Sequence, residues 1–252
     1  MILIDEKAGW ISKDNGTTKL SFADREGFEL MSTIWLRATW DAKYVYSFSW
    51  MGRPIIQLPD DLLRLQEVIW ALKPDVIVET GVAHGGSLIF HASLMHVIGH
   101  GRVIGVDVET RPHNRKAIKE HPLASYITLV DGSSTAPNTI NEVKSLIMPG
   151  ERVLIVLDAR HTKEHVLAEL EAYSPLVAVG SYIIACDGIM EIVDGASRSE
   201  EDWSWNNPRQ AALEFIKGRS DFKIEAPVPP FNEGITADRV SYWPDSFIKR
   251  IA

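Results

Sequence analysis

Cysteine is almost missing from this chain: Cys186 stands alone in 252 residues. One thiol builds no intrachain disulfide framework, and its solitude fits a reducing, cytoplasmic setting. Positive charge is also short, with 26 Lys and Arg against 34 Asp and Glu and a formal net charge of -8. A non-specific nucleic-acid binder carries a basic face, so that class of partner is excluded; a small anionic ligand held by local bases is not. No run reaches the roughly 20 apolar residues that cross a bilayer. The opening Met1-Ile2-Leu3-Ile4-Asp5-Glu6-Lys7 has no basic segment ahead of a long apolar one. This argues against a signal peptide and against a membrane role. Internal repeats and low-complexity tracts are absent.

What the chain does have is a ladder of acids at the ends of apolar runs. The runs are Val76-Ile77-Val78-Glu79, Val103-Ile104-Gly105-Val106-Asp107, Ile127-Thr128-Leu129-Val130-Asp131 and Val153-Leu154-Ile155-Val156-Leu157-Asp158, and a fifth, Tyr182 to Cys186, ends at Asp187. Such runs between helical stretches read as buried parallel strands. A carboxylate at the carboxyl end of each points into the crevice where open α/β sheets bind ligands. The fold class is therefore α/β, a Rossmann-like doubly wound sheet.

Residues 1–58 form an aromatic-rich N-terminal extension, with Trp10, Trp35, Trp40, Tyr44, Tyr46 and Trp50, serving as a cover or an oligomer contact. The α/β domain is 59–252. Within the extension, 24–43 reads as helical and 51–59 as a turn and an extended segment. Asp60 opens an amphipathic helix that stops at Lys73-Pro74. After Asp187 the alternation breaks. Residues 190–208, with Trp203 and Trp205, read as a long mobile loop able to close over a substrate. A short helix over 208–217 follows, then two antiparallel edge strands over 222–225 and 239–242.

The first strand leads into Glu79-Thr80-Gly81-Val82-Ala83-His84-Gly85-Gly86-Ser87. Its glycines are not spaced as the dinucleotide pattern G-x-G-x-x-G. A wider turn preceded by an acid suits S-adenosylmethionine, whose positive end Glu79 would attract. Gly81, Gly85, Gly86 and Ser87 let the backbone and a helix N-terminus approach it. Asp107, at the end of the next strand, is placed for the ribose hydroxyls, and Asp131-Gly132-Ser133 for the adenine. The plain alternative is a tight turn with acids as helix caps.

Asp158-Ala159-Arg160-His161-Thr162-Lys163-Glu164-His165 holds two competing chemistries. His161, Glu164 and His165 match H-x-x-E-H, a zinc hydrolase signature. Alternatively Asp158 and Asp187, on strands about 4.8 Å apart, share a hard cation such as magnesium. His161 then serves as base, and His165 is structural.

Together these residues resemble the cephalosporin hydroxylase family, which includes rhamnosyl O-methyltransferases. The resemblance runs from about Trp50 to the C-terminus. It is carried by Gly52-Arg53-Pro54-Ile55-Ile56-Gln57, Lys73-Pro74-Asp75, Glu79-Thr80-Gly81 with Gly85-Gly86-Ser87, Gly105-Val106-Asp107 and above all Leu157 to Leu170. It implies a class I methyltransferase sheet of seven strands with the last one antiparallel. It also implies cofactor contacts at Glu79, Gly81, Ser87, Asp107 and Asp131. The metal site is similar to that of magnesium-dependent sugar O-methyltransferases of macrolide pathways, with Asp158 as ligand and His161 as base. Cys186-Asp187 stands where the family has Glu-Asp, which implies weakened magnesium binding because sulfur is a soft ligand.

The expected activity is S-adenosylmethionine-dependent O-methylation of a small molecule, a sugar or glycosylated natural product, by a homo-oligomer. Asp158 and His161 are the catalytic pair, with Asp158 and Asp187 as metal ligands. The rivals are the zinc hydrolase and a non-catalytic cofactor-binding member of the same fold.

Overall fold

The computed structural model describes residues 1–234 and 240–252. Three short strands, Leu3–Asp5 (β1), Trp10–Lys13 (β2) and Thr18–Ser21 (β3), pair antiparallel. The helix Arg25–Asp41 (α1) follows, where 24–43 predicts one. The expected turn at 51–52 and extended segment after it form one side of a hairpin, Phe48–Trp50 (β4) with Arg53–Ile55 (β5). The N-terminal extension is not detached. Trp40 of α1 packs against Trp203 and Tyr242, with ring centroids 5.4 and 6.0 Å away.

The helix Pro59–Leu72 (α2) shows why its sequence signals work. Pro59 occupies the first turn, where a backbone N–H has no helical partner. Asp60 and Asp61 sit at the positive end of the helix dipole. Lys73 adopts a left-handed conformation, donates its N–H to the Ile69 carbonyl, and is followed by Pro74.

The acid-tipped runs form the large sheet in alternation with helices: Val76–Thr80 (β6), Gly86–Ile98 (α3), Arg102–Asp107 (β7), Pro112–Lys119 (α4), Ile127–Asp131 (β8), Pro137–Ser145 (α5), Val153–Leu157 (β9), Lys163–Tyr173 (α6) and Tyr182–Ala185 (β10). Then come Pro208–Phe215 (α7), Phe222–Ile224 (β11) and Phe247–Arg250 (β12). The seven strands lie in the order β11-β12-β10-β9-β6-β7-β8. β6 through β10 pair in parallel, and β12 runs antiparallel to both its neighbours. This is the expected class I methyltransferase sheet with an antiparallel last strand. Period-2 alternation divides each strand between two cores. Ile77, Val103, Leu154, Val156 and Ile184 face α2 and α3. Val76, Val78, Ile104, Ile155 and Ile183 face α6 and α7.

Two late expectations are corrected. Arg239 lies outside the described residues, and Val240 to Tyr242 is not a strand. The Tyr242 N–H donates to Asp61 instead of to a sheet neighbour, and the strand forms later, at β12. The segment 190–208 is irregular but anchored. Trp203 is packed edge-on to Trp40, Asn206 accepts from the Lys163 N–H, and Asn207 caps α7 through the Gln210 N–H. Trp205 alone of the two tryptophans is exposed.

Asp61, buried at the start of α2, clips this C-terminal segment. It accepts from Ser241 Oγ at 2.5 Å and Tyr242 N at 2.8 Å. Burial pushes its carboxyl up to about 7, against those two bonds. A folded-state value above the roughly 3.9 of a free Asp means that the folded chain holds this proton more tightly than the unfolded one. That stabilisation is complete below about pH 4 and is lost as pH rises towards 7. Asp61→Asn should flatten this part of the stability–pH curve in denaturant titrations. Asp61→Ala, which leaves the Ser241 hydroxyl and the Tyr242 N–H unpaired, should cost about 1–3 kcal/mol.

Candidate active site

The glycine-rich turn is built by close backbone approach. Gly81 has φ +89°, and a Cβ there would sit 2.0 Å from the Asp158 carbonyl oxygen. A Cβ on Gly86 would sit 2.1 Å from the Pro54 carbonyl oxygen. Only glycine lets β6's turn lie against β9's and lets α3 begin under the β4–β5 hairpin. Asp107 holds the turn from below, its Oδ2 accepting the N–H groups of Val82 at 2.8 Å and Ala83 at 3.3 Å. Arg53, quoted only in the block that carries the family resemblance, and Asn114, not anticipated, hold it as well. The Arg53 guanidinium donates to the His84 carbonyl at 2.6 Å and to Asn114 Oδ1 at 3.0 Å, and Asn114 Nδ2 donates to the Ala83 carbonyl at 2.8 Å.

Between these turns lies a cavity of about 150 Å³, lined by Gly81, Val106, Asp107, Val108, Ser133, Ser134, Ala159 and His165. Three expected cofactor residues, Gly81, Asp107 and Ser133, are in its wall. Glu79 is not; only 1% exposed, it faces α3, accepting from Ser87 Oγ and lying 2.9 Å from His91 Nε2. Gly85 caps α3 and Gly86 begins it. Asp131 lies outside the wall, its Oδ1 paired with Arg115 of α4. His165, expected to be structural, lines the cavity.

Next to this cavity the acids converge. Asp158 and Asp187 follow the neighbouring strands β9 and β10, and one ligand atom each from Asp158, His161 and Asp187 lie within 4.8 Å of one another. His161 Nε2 is 3.4 Å from Asp187 Oδ2. Burial, then the charges of Asp187 and Glu79, push the Asp158 carboxyl well above the usual range. Burial also raises Asp187, against the pull of His161. Gln57, with no role at the site expected from sequence, donates from Nε2 to Asp158 Oδ2 at 2.8 Å. Its signal was a lone amide inside Ile55-Ile56-Gln57-Leu58-Pro59. Two hard carboxylates, both raised by burial and one of them further by the other, with an imidazole beside them, fit magnesium. Cys186 is outside the set, fully buried in the apolar core beside Ile184 and Ile189.

The H-x-x-E-H reading does not survive the geometry. His161 precedes α6, and Thr162, its N-cap, is extended at φ -85°, ψ 143°. The two histidines therefore do not share a helix face. His161 turns to Asp187, and His165 to Ser134 and Glu169.

A model of the family described as rhamnosyl O-methyltransferase/CmcI matches residues 42–251. A rhamnosyl O-methyltransferase of Mycobacterium leprae (strain TN) is 30% identical over 142 residues, 55% of this chain and 59% of the relative. One from Mycobacterium bovis is 30% identical over 142 residues, 55% of this chain and 56% of the relative. The match thus spans little more than half the length of these curated relatives. Among solved structures, an apo form of CmcI superposes with a TM-score of 0.54 at 20% identity, over 82% of this chain and 77% of that one. A magnesium- and S-adenosylmethionine-bound CmcI gives 0.53 at 18%, over 82% and 78%. An O-methyltransferase from Bacillus cereus in complex with S-adenosylhomocysteine gives 0.50 at 19%, over 77% and 80%. These likenesses establish the class I methyltransferase fold, and the family match over residues 42–251 shows that this chain belongs to the rhamnosyl O-methyltransferase/CmcI family.

Proposed function

We propose that this chain is an S-adenosylmethionine-dependent O-methyltransferase acting on a hydroxyl of a sugar or glycosylated natural product. The observation that carries this reading is a shared wall. Ala159 lines the cavity, Asp158 precedes it, and Gly81 is pressed against the Asp158 carbonyl. A nucleoside in the cavity would present its far end to Asp158, His161 and Asp187. The sugar class rests on the rhamnosyl substrates for which the mycobacterial relatives are named.

In this reading Asp107 Oδ1, which already accepts the Glu109 N–H, takes a ribose hydroxyl on its remaining lone pair. Val108, Ser133 and Ala159 surround the adenine, and Gly81 admits the amino-acid end. Glu79, Gly85, Gly86 and Ser87 set the turn's shape and polarity from behind, and Asp131 fixes the adenine loop through Arg115. S-Adenosylmethionine, when bound, supplies a methyl group on a good leaving group. Magnesium, held by Asp158 and Asp187, would supply positive charge that orients and acidifies a hydroxyl. Asp187, beside His161 Nε2, orients the ring and leaves Nδ1 to take the hydroxyl proton. Gln57 fixes the Asp158 carboxylate.

Residues 1–58 act as a cover, since Trp50 Nε1 donates to Ser93 of α3 at 3.2 Å and Gln57 reaches the acids. No helix among the described residues is long and apolar enough to cross a membrane. A cytoplasmic homo-oligomer is the assembly this reading carries.

Asp107→Ala should weaken S-adenosylhomocysteine binding by about 1.5–3 kcal/mol in calorimetry, as for hydrogen bonds to a charged group. Unchanged affinity would overturn the ribose assignment. His161→Ala should leave that affinity intact and lower single-turnover methyl transfer to a rhamnosyl acceptor by about 10²–10⁴. An equal loss in His165→Ala, without a loss of cofactor affinity, would reject His161 as base. Magnesium titrated calorimetrically should bind the wild type and not Asp158→Asn; full transfer after exhaustive chelation would remove the metal from the account.

A further inference from the structure

We infer that His165 recognises the exocyclic amine of the adenine ring, and that buried Glu169 sets the direction in which it does so. The inference rests on the assignment of the 150 Å³ cavity to the adenosyl group.

The starting observation is Glu169, on α6. It is 0% exposed, and neither carboxylate oxygen has a hydrogen-bond partner among the described residues. A buried carboxyl group without compensation is costly. Its contact is His165, one helical turn earlier, whose Nε2 lies 3.5 Å from Oε1. The same nitrogen lies 3.2 Å from Ser134 Oγ. Ser134 is itself fixed, its carbonyl accepting from the Tyr173 hydroxyl at 2.9 Å. The imidazole is thus braced through one ring nitrogen, from its own helix and from the loop after β8. His165 lines the cavity with Val108 and Ser133, and both of its polar contacts, to Ser134 and Glu169, are made through Nε2.

The bracing fixes a tautomer. A neutral imidazole has one N–H and one lone pair, and the partner of one nitrogen decides the role of the other. The Glu169 carboxylate is acceptor-only. Beside Nε2 it favours the N–H there and leaves the Nδ1 lone pair for the cavity. An acceptor in the wall of an adenine pocket matches the 6-amino donor. It opposes the 6-oxo group of hypoxanthine, which would set lone pair against lone pair. The Ser133 hydroxyl can rotate to suit either base. His165 and Glu169 therefore act as a pair, one touching the base and the other positioning it.

The test compares S-adenosylhomocysteine with its 6-oxo counterpart, S-inosylhomocysteine, by calorimetry on the full chain. The wild type should prefer the adenosyl ligand by about 10- to 100-fold, the scale of one buried hydrogen bond gained against one opposed. His165→Ala should bring the two affinities to within a few-fold by weakening the adenosyl ligand and relieving the opposed 6-oxo group. Glu169→Gln tests the positioning role. Its amide can donate to Nε2 and release the other tautomer, so affinity for the 6-oxo ligand should rise while the fold is kept. Equal weakening of both ligands in both variants, with the preference intact, would overturn the inference while the cavity assignment stands. If Asp107→Ala left both ligands unaffected, the cavity assignment would fall and the inference with it.

Discussion

The hydrogen bonding of β6 to β9 is the constraint on which the rest depends. These strands are not consecutive in the chain, and their pairing marks the place where the order of the sheet reverses. Thr80 lies beside Leu157 in register, and the Asp158 N–H donates to the Thr80 carbonyl at 2.9 Å. The two strands therefore end together, and the chain must leave both at once. Gly81 permits this by bringing its backbone against the Asp158 carbonyl. The turn towards α3 opens one half of the crevice and the turn towards α6 the other. A slip of one residue would exchange the two faces of β6 and drive Glu79 into the opposite core.

The same convergence concentrates negative charge. Asp158 is raised by Asp187 and Glu79, and Asp61 feels Asp187 across the core. Against this the described structure sets His91 beside Glu79, His161 beside Asp187 and the Gln57 amide on Asp158. Neutral or titratable partners of this kind compensate buried carboxylates only in part. A divalent cation between Asp158 and Asp187 would relieve the repulsion directly. An acid-rich site of this sort is therefore better matched to its loaded state than to an empty one.

Much of this was legible in the sequence because buried parallel strands are written as short apolar runs, and their terminal acids stand out against them. β6 to β10 and the pairing of Asp158 with Asp187 follow from that pattern, and the helix expected from Asp60 begins one residue earlier. What was not legible depends on where side chains meet. Phe247 to Arg250 is half charged and reads less like a strand than it is; Tyr242 before it is held outside the sheet by Asp61, and the strand lies between β10 and β11. The spacing of His161 and His165 suggested one helix face, but one extended residue, Thr162, separates them. Asp131 ends its strand as Asp107 does, yet Arg115 turns its carboxylate away. Gln57 sits 101 residues before Asp158, a contact that no local pattern encodes. Trp203 read as part of a mobile loop and is an anchor against Trp40.

The central claim is that the nucleoside cavity and the acid cluster are two ends of one site. A crystal structure with S-adenosylhomocysteine and manganese, the latter located by its anomalous signal, tests it most directly. The account predicts the adenosyl group between Val108 and Ser133, the thioether beside Gly81, and the manganese peak between Asp158 and Asp187. A nucleoside bound elsewhere, or a metal lying between His161 and His165, would contradict it.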